Sequence, residues 1–142
     1  MPPMTWKHAL ILLALAGPMA SCGEMQFARG YPSETVAPEI LDPYLAEFYT
    51  LAAPRGPRPV VIEFGETAGD ALGTCRPRTR HITLSPELLT VYSEHTLRYT
   101  LFHELVHCSL GVREHTEGTL MGTRVPDSDE EMTRRIDEYF EN

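Results

Sequence analysis

The chain has 142 residues, 42% of them hydrophobic and 23% charged, and a formal net charge of −8. That length holds one domain with a modest core and leaves no room for a second. The acidic balance excludes nucleic acid or an anionic lipid surface as the main partner.

The first 21 residues read as an export signal rather than as part of the fold. Lys7 and His8 precede Ala9-Leu-Ile-Leu-Leu-Ala-Leu-Ala16, an apolar core too short to span a bilayer, and Gly-Pro-Met-Ala-Ser leads into Cys22. Met19-Ala-Ser-Cys22 resembles a bacterial lipobox, in which the cysteine is acylated and becomes the new N-terminus, with methionine standing where leucine is usual. The expectation is an exported lipoprotein, facing the periplasm and held to a membrane through lipid on Cys22. Loss of Lys7 with the signal makes the mature chain one unit more negative, and no second long apolar run predicts a further span.

Residues 22–37 contain Gly, Pro and Ser without a hydrophobic period and read as a tether, leaving 38–142 as the folded domain. From Pro38 to Ala52, Ile40, Leu41, Tyr44, Leu45, Phe48, Tyr49 and Leu51 recur at helical spacing, which predicts a first amphipathic helix. Pro54-Arg-Gly-Pro-Arg-Pro59 stops it. Pro59-Val-Val-Ile-Glu-Phe64 predicts a strand, Gly65 to Arg80 a loop, and His81-Ile-Thr-Leu-Ser85 a second strand. Pro86 to Tyr92 predicts a short helical segment. Ser93 then suits the N-cap of a long helix through Leu110, with Glu94 near its positive end. With Cys22 lipidated, Cys75 and Cys108 are the remaining thiols of an oxidising compartment. Pairing them would pin the long helix to the segment before it.

That long helix carries Leu101-Phe-His-Glu-Leu-Val-His-Cys-Ser-Leu-Gly111. Residues four apart on a helix project from one face, so His103 and His107 can share a Zn2+ about 2 Å from each imidazole nitrogen. Glu104 lies beside them, within reach of a coordinated water, and suits a general base. The bland alternative is a buried helix with two hydrogen-bonded histidines and a surface glutamate. Against it, the helix is apolar nearly all round, and two histidines and a glutamate on its one polar sector need the partners that a metal provides. Cys108 stands about 100° round the helix from His107, which excludes it as a ligand. His81 and His95 fall outside any ligand spacing.

Leu110-Gly111 reads as a helix stop. His115 follows four residues later, then Thr-Glu-Gly-Thr-Leu-Met121. Glu114, Glu117, Glu130 and Glu131 are carboxylate rivals to His115 as third ligand. Ser128-Asp-Glu-Glu131 is a capping pattern, and Met132, Ile136, Tyr139 and Phe140 form the apolar stripe of a C-terminal helix.

The segment from His103 to Met121 resembles the metzincin family of zinc endopeptidases, whose motif is H-E-x-x-H-x-x-G-x-x-H followed by a methionine-containing turn. His103, Glu104 and His107 match residue by residue. Gly111 would be the turning glycine, His115 the third ligand and Met121 the turn methionine. Glycine falls four rather than three residues after the second histidine, and the last histidine eight rather than six. The resemblance implies an α+β, zincin-like domain, a central active-site helix with a short β-sheet and flanking N- and C-terminal helices. It also implies Zn2+ held by His103, His107 and His115, with Glu104 activating the attacking water. A peptide or protein substrate would pair with the rim strand, placed by analogy at Ile82–Leu84. The function expected is that of a monomeric, membrane-anchored zinc metalloendopeptidase. The alternatives are a non-catalytic metal-binding lipoprotein and a hydrolase of a cell-wall amide or peptide cross-link.

Overall fold

The computed structural model describes residues 29–142. The export signal over 1–21 and lipidation at Cys22 lie outside the described residues. Three α-helices, α1 (Asp42–Ala52), α2 (Glu94–Cys108) and α3 (Asp129–Glu141), accompany three strands, β1 (Val61–Phe64), β2 (Gly73–Arg76) and β3 (His81–Leu84). The fold is α+β, a small zincin-like domain. Among the described residues no helix is long and apolar enough to cross a membrane.

Local chemistry accounts for the helices. Pro43 sits in the first turn of α1, where a missing N–H breaks no intrahelical bond. The Ser93 hydroxyl accepts from the Thr96 N–H at 3.2 Å and opens α2. Ser128 does the same for the Glu131 N–H at 3.2 Å and opens α3. The centre of the core is α2, with Leu97, Tyr99, Leu101, Phe102, Leu105 and Val106 buried. Phe102 meets Phe48 of α1 and Phe140 of α3 edge to face, at centroid separations of 5.4 and 6.3 Å. That geometry sets the negative face of one ring against the positive edge of the next and joins all three helices. Arg98 of α2 adds a two-pronged pair with Glu47 of α1.

The sheet differs from expectation. Its order is β1-β3-β2, with β1 and β3 parallel and β2 and β3 antiparallel. The segment read as loop from Gly65 to Arg80 contains β2. Gly-Thr-Cys-Arg has no alternation of apolar and polar residues, so its extended form comes from pairing with β3 and packing against α2. As a result β3 is central, with partners on both edges, and Ile82–Leu84 cannot be the rim that receives a substrate. The free edge is β2. The Ser85 N–H donates to the Leu72 carbonyl at 2.8 Å, which makes Leu72 and Ser85 a hydrogen-bonded pair. Antiparallel alternation then turns Thr74 and Arg76 towards β3, and the N–H and C=O groups of Gly73 and Cys75 outward.

The stretch read as tether is also docked from Tyr31 onward. Tyr31 is buried in the core and donates its hydroxyl to Asp42 at 2.6 Å. Val36 forms a parallel bridge with Val61, its N–H bonded to the Val60 carbonyl at 3.0 Å. A lone aromatic and a single bridge leave no periodic signal in a Pro- and Gly-containing stretch.

Candidate metal centre

His103 and His107 project from one side of α2, and the loop beyond Gly111 returns His115 to them. The Nε2 atoms of His103 and His107 are 3.2 Å apart, as are those of His107 and His115. The histidine Nδ1 atoms of α2 face backbone carbonyls, His103 to Leu120 at 2.8 Å and His107 to Val112 at 2.6 Å. A carbonyl only accepts, so each Nδ1 carries the proton and donates it, and each Nε2 presents a bare lone pair. Burial, reinforced by the neighbouring imidazoles, pushes the His103 pKa down to about 4, and burial lowers that of His107. Both rings are therefore neutral at pH 7, with lone pairs aimed at each other across 3.2 Å and no proton between them.

Such a contact is repulsive unless a cation sits among the nitrogens. Tetrahedral zinc bonds of 2.0–2.1 Å place neighbouring ligand nitrogens about 3.3 Å apart. The donor set, its tautomers and its spacing all fit Zn2+, and the carbonyls of Leu120 and Val112 supply the outer hydrogen bonds that orient metal-binding imidazoles. His103, His107 and His115 form a group that could hold a metal ion, their ligand atoms all lying within 4.8 Å of one another.

Each supporting turn has a local cause. Gly111 adopts φ +72°, a left-handed conformation that a β-carbon disfavours, and the Val112 N–H reaches back to the Val106 carbonyl at 3.2 Å. The Thr116 N–H donates to the Met121 carbonyl at 2.9 Å and closes the loop after His115. Leu120 and Met121 are buried, and the Leu120 carbonyl that anchors His103 belongs to this methionine turn. Tyr99 steadies the same turn, donating its hydroxyl to the Thr119 carbonyl at 3.2 Å.

The carboxylate rivals are placed elsewhere. Glu117 accepts from the Thr123 N–H at 3.0 Å and the Thr123 hydroxyl at 2.6 Å. Glu131 is held by Arg134 and Arg135, which keep its pKa down at about 2. Glu114 and Glu130 are exposed and outside the histidine group. His81 lies 3.0 Å from Glu63, and His95 lies 3.8 Å from Asp129.

Glu104 is 6% exposed and its carboxylate makes no hydrogen bond among the described residues. Burial alone pushes its pKa up to about 7, a value suited to taking a proton at neutral pH and returning it. It lines a cleft of about 1160 Å³ together with His103, His107, His115, Thr100, Tyr99 and the inner side of β2. The Thr100 hydroxyl, buried in this wall, has no hydrogen-bond partner among the described residues. Gly73 is glycine for a steric reason: a β-carbon there would stand 2.9 Å from Cγ of Glu104 and 3.1 Å from Cγ2 of Thr100. Cys75 and Cys108 are joined by a disulfide, Cα to Cα 5.8 Å, which ties β2 to the end of α2.

Sequence reasoning missed Gly73, the free edge of β2 and the carbonyls of Val112 and Leu120. Backbone groups have no residue-type signature, and a glycine in an assumed loop looks like any other. Arg78, Arg113 and Arg124 in the cleft wall were also unseen, because only the fold brings their three segments together.

The chain matches the SprT-like family over residues 45–119, just over half its length, a span that includes His103, Glu104, His107 and His115. No curated protein and no solved structure matches the chain significantly. SprT-like domains are related to zincin-like metallopeptidases and are typically zinc-binding, which supports the zincin-like reading at that level without reaching the metzincin subgroup. With its three histidines converging beneath a free strand edge, the chain belongs to the SprT-like family.

Proposed function

We propose that this protein is an exported, lipid-anchored zinc peptidase, with the third ligand and methionine turn arranged as in the metzincins. The observation that carries the reading is the convergence of three imidazole Nε2 atoms, two of them with bare lone pairs, beside a buried carboxylate that has no hydrogen-bond partner among the described residues. A closed structural site would have no use for a carboxylate held ready in that way. Zinc, when bound, supplies Lewis acidity towards a carbonyl oxygen and lowers the pKa of a coordinated water to about 7.

The chain's own residues do the rest. The outward N–H and C=O groups of Gly73 and Cys75 take an extended peptide by main-chain hydrogen bonds and lay its carbonyl over the histidines. Glu104 accepts the proton of the attacking water and hands it to the departing amine nitrogen, so one carboxylate serves as base and then as acid. The apolar wall around Glu104 keeps bulk water from solvating it and preserves its basicity at neutral pH. The anchor at Cys22 would place this cleft in the periplasm.

The test is direct. Glu104→Ala should retain one zinc per chain by elemental analysis and lose peptide hydrolysis by a factor of about 100 to 10,000. Turnover that survives the substitution would reject the mechanism.

A further inference from the structure

Arg78, Arg113 and Arg124 all line the cleft that holds the histidines and Glu104, and each comes from a different segment. Arg78 follows β2 at the rim, Arg113 lies in the turn between Gly111 and His115, and Arg124 lies just past the methionine turn. All three side chains are exposed, and among the described residues none has an ion pair or hydrogen bond. Arginines of the helices are partnered: Arg98 with Glu47, Arg134 with Glu131 and Glu138, Arg135 with Glu131. The acid that bears on Arg124 from outside the cleft is Glu117, and its carboxylate is committed to Thr123. Apart from Glu104, the only acid in the cleft wall among the described residues is Asp70. A chain of net charge −8 has thus set three free guanidinium groups against one such carboxylate around its reactive centre.

Guanidinium groups bind carboxylates through paired N–H donors, and a concave wall of low polarisability concentrates their field. We propose that the cleft selects peptides carrying carboxylate side chains close to the scissile bond, Arg78, Arg113 and Arg124 being the groups that recognise them. This specificity rests on the peptidase reading above. The net charge of −8 strengthens it, since the chain as a whole repels acidic peptides and the attraction is local to the cleft.

The test uses the zinc-loaded protein and three matched fluorogenic peptides, in which glutamate, glutamine or lysine flanks one cleavable bond. The glutamate peptide should show the highest kcat/KM and the lysine peptide the lowest. The glutamate advantage should shrink as salt rises from about 50 to about 500 mM. Arg78→Gln, Arg113→Gln and Arg124→Gln should each lower the glutamate-to-glutamine ratio about two- to fivefold, as for single exposed charge pairs. Arg134→Gln, on the outer side of α3, should leave that ratio in place. Binding of the same peptides to Glu104→Ala, read by fluorescence anisotropy, separates the two ideas. Equal turnover of the glutamate and glutamine peptides overturns the selectivity and keeps the peptidase. Acidic preference in binding that the arginine variants abolish, with no hydrolysis by the parent protein, supports the selectivity and overturns the peptidase.

Discussion

Gly73 and Glu104 occupy one small volume, and each limits what the other can be. Gly73→Ala forces its β-carbon onto Cγ of Glu104, which lies too near the main chain to swing away cheaply. The expected result is a fall in kcat of up to about 100-fold with zinc content unchanged, read by turnover and elemental analysis side by side. Loss of zinc in that variant would show that Gly73 shapes the ligands instead. Glu104 itself is held at a cost to stability. Its folded pKa of about 7 stands above the ordinary 4.5, so folding is penalised increasingly as pH rises from about 4.5 through about 7. In zinc-free protein Glu104→Gln should therefore stabilise the fold at pH 8, by up to about 3 kcal/mol, with the gain gone below pH 4.5. Urea denaturation at the two pH values checks it, and a destabilised variant at pH 8 would contradict the assignment of burial as the cause.

Among the elements, α3 is secured by charge where α2 is secured by packing. Glu131 bonds Arg134 and Arg135, and Arg135 reaches the Thr119 carbonyl at 3.4 Å, next to the carbonyl that orients His103. Because these arginines depress the Glu131 pKa to about 2, the stabilisation is complete above about pH 4.5 and fades as pH falls through about 2. Thermal melting should place Glu131→Gln below the parent at pH 7, with the two curves merging near pH 2. A gap that persists at pH 2 would mean that Glu131 acts through shape. The helices were legible because caps and apolar stripes are local: Ser93 and Ser128 sit where the spacing put them. By contrast β2 was illegible, since a strand of Gly-Thr-Cys-Arg exists only through its neighbours.

Across the whole molecule, the disulfide between Cys75 and Cys108 fastens the upper wall of the cleft to its floor over a separation of 33 residues. Closing a loop of that size restricts the unfolded chain by about 3.7 kcal/mol on the chain-entropy account. Replacing both cysteines by serine should lower unfolding stability by roughly that amount and speed amide exchange in β2 before the rest of the sheet. Uniform exchange across the sheet would show that β2 is held by its pairing with β3 alone. The docking of Tyr31 belongs to this scale too, because its place in the core depends on Asp42 and on residues far along the chain.

Taken by itself, the amino-acid sequence determined that two histidines and a glutamate share one sector of a helix, because a helix converts a spacing of four residues into a shared face with no help from elsewhere. It also determined which segments coil, since capping and periodicity act within one or two turns. Only the tertiary structure decided that His115 comes up to His103 and His107, that β2 and not β3 is the open edge, and that three arginines without an ion pair among the described residues line the cleft. Each of these depends on contacts between segments distant in the chain, and the energy that selects them is burial and pairing shared across the whole fold.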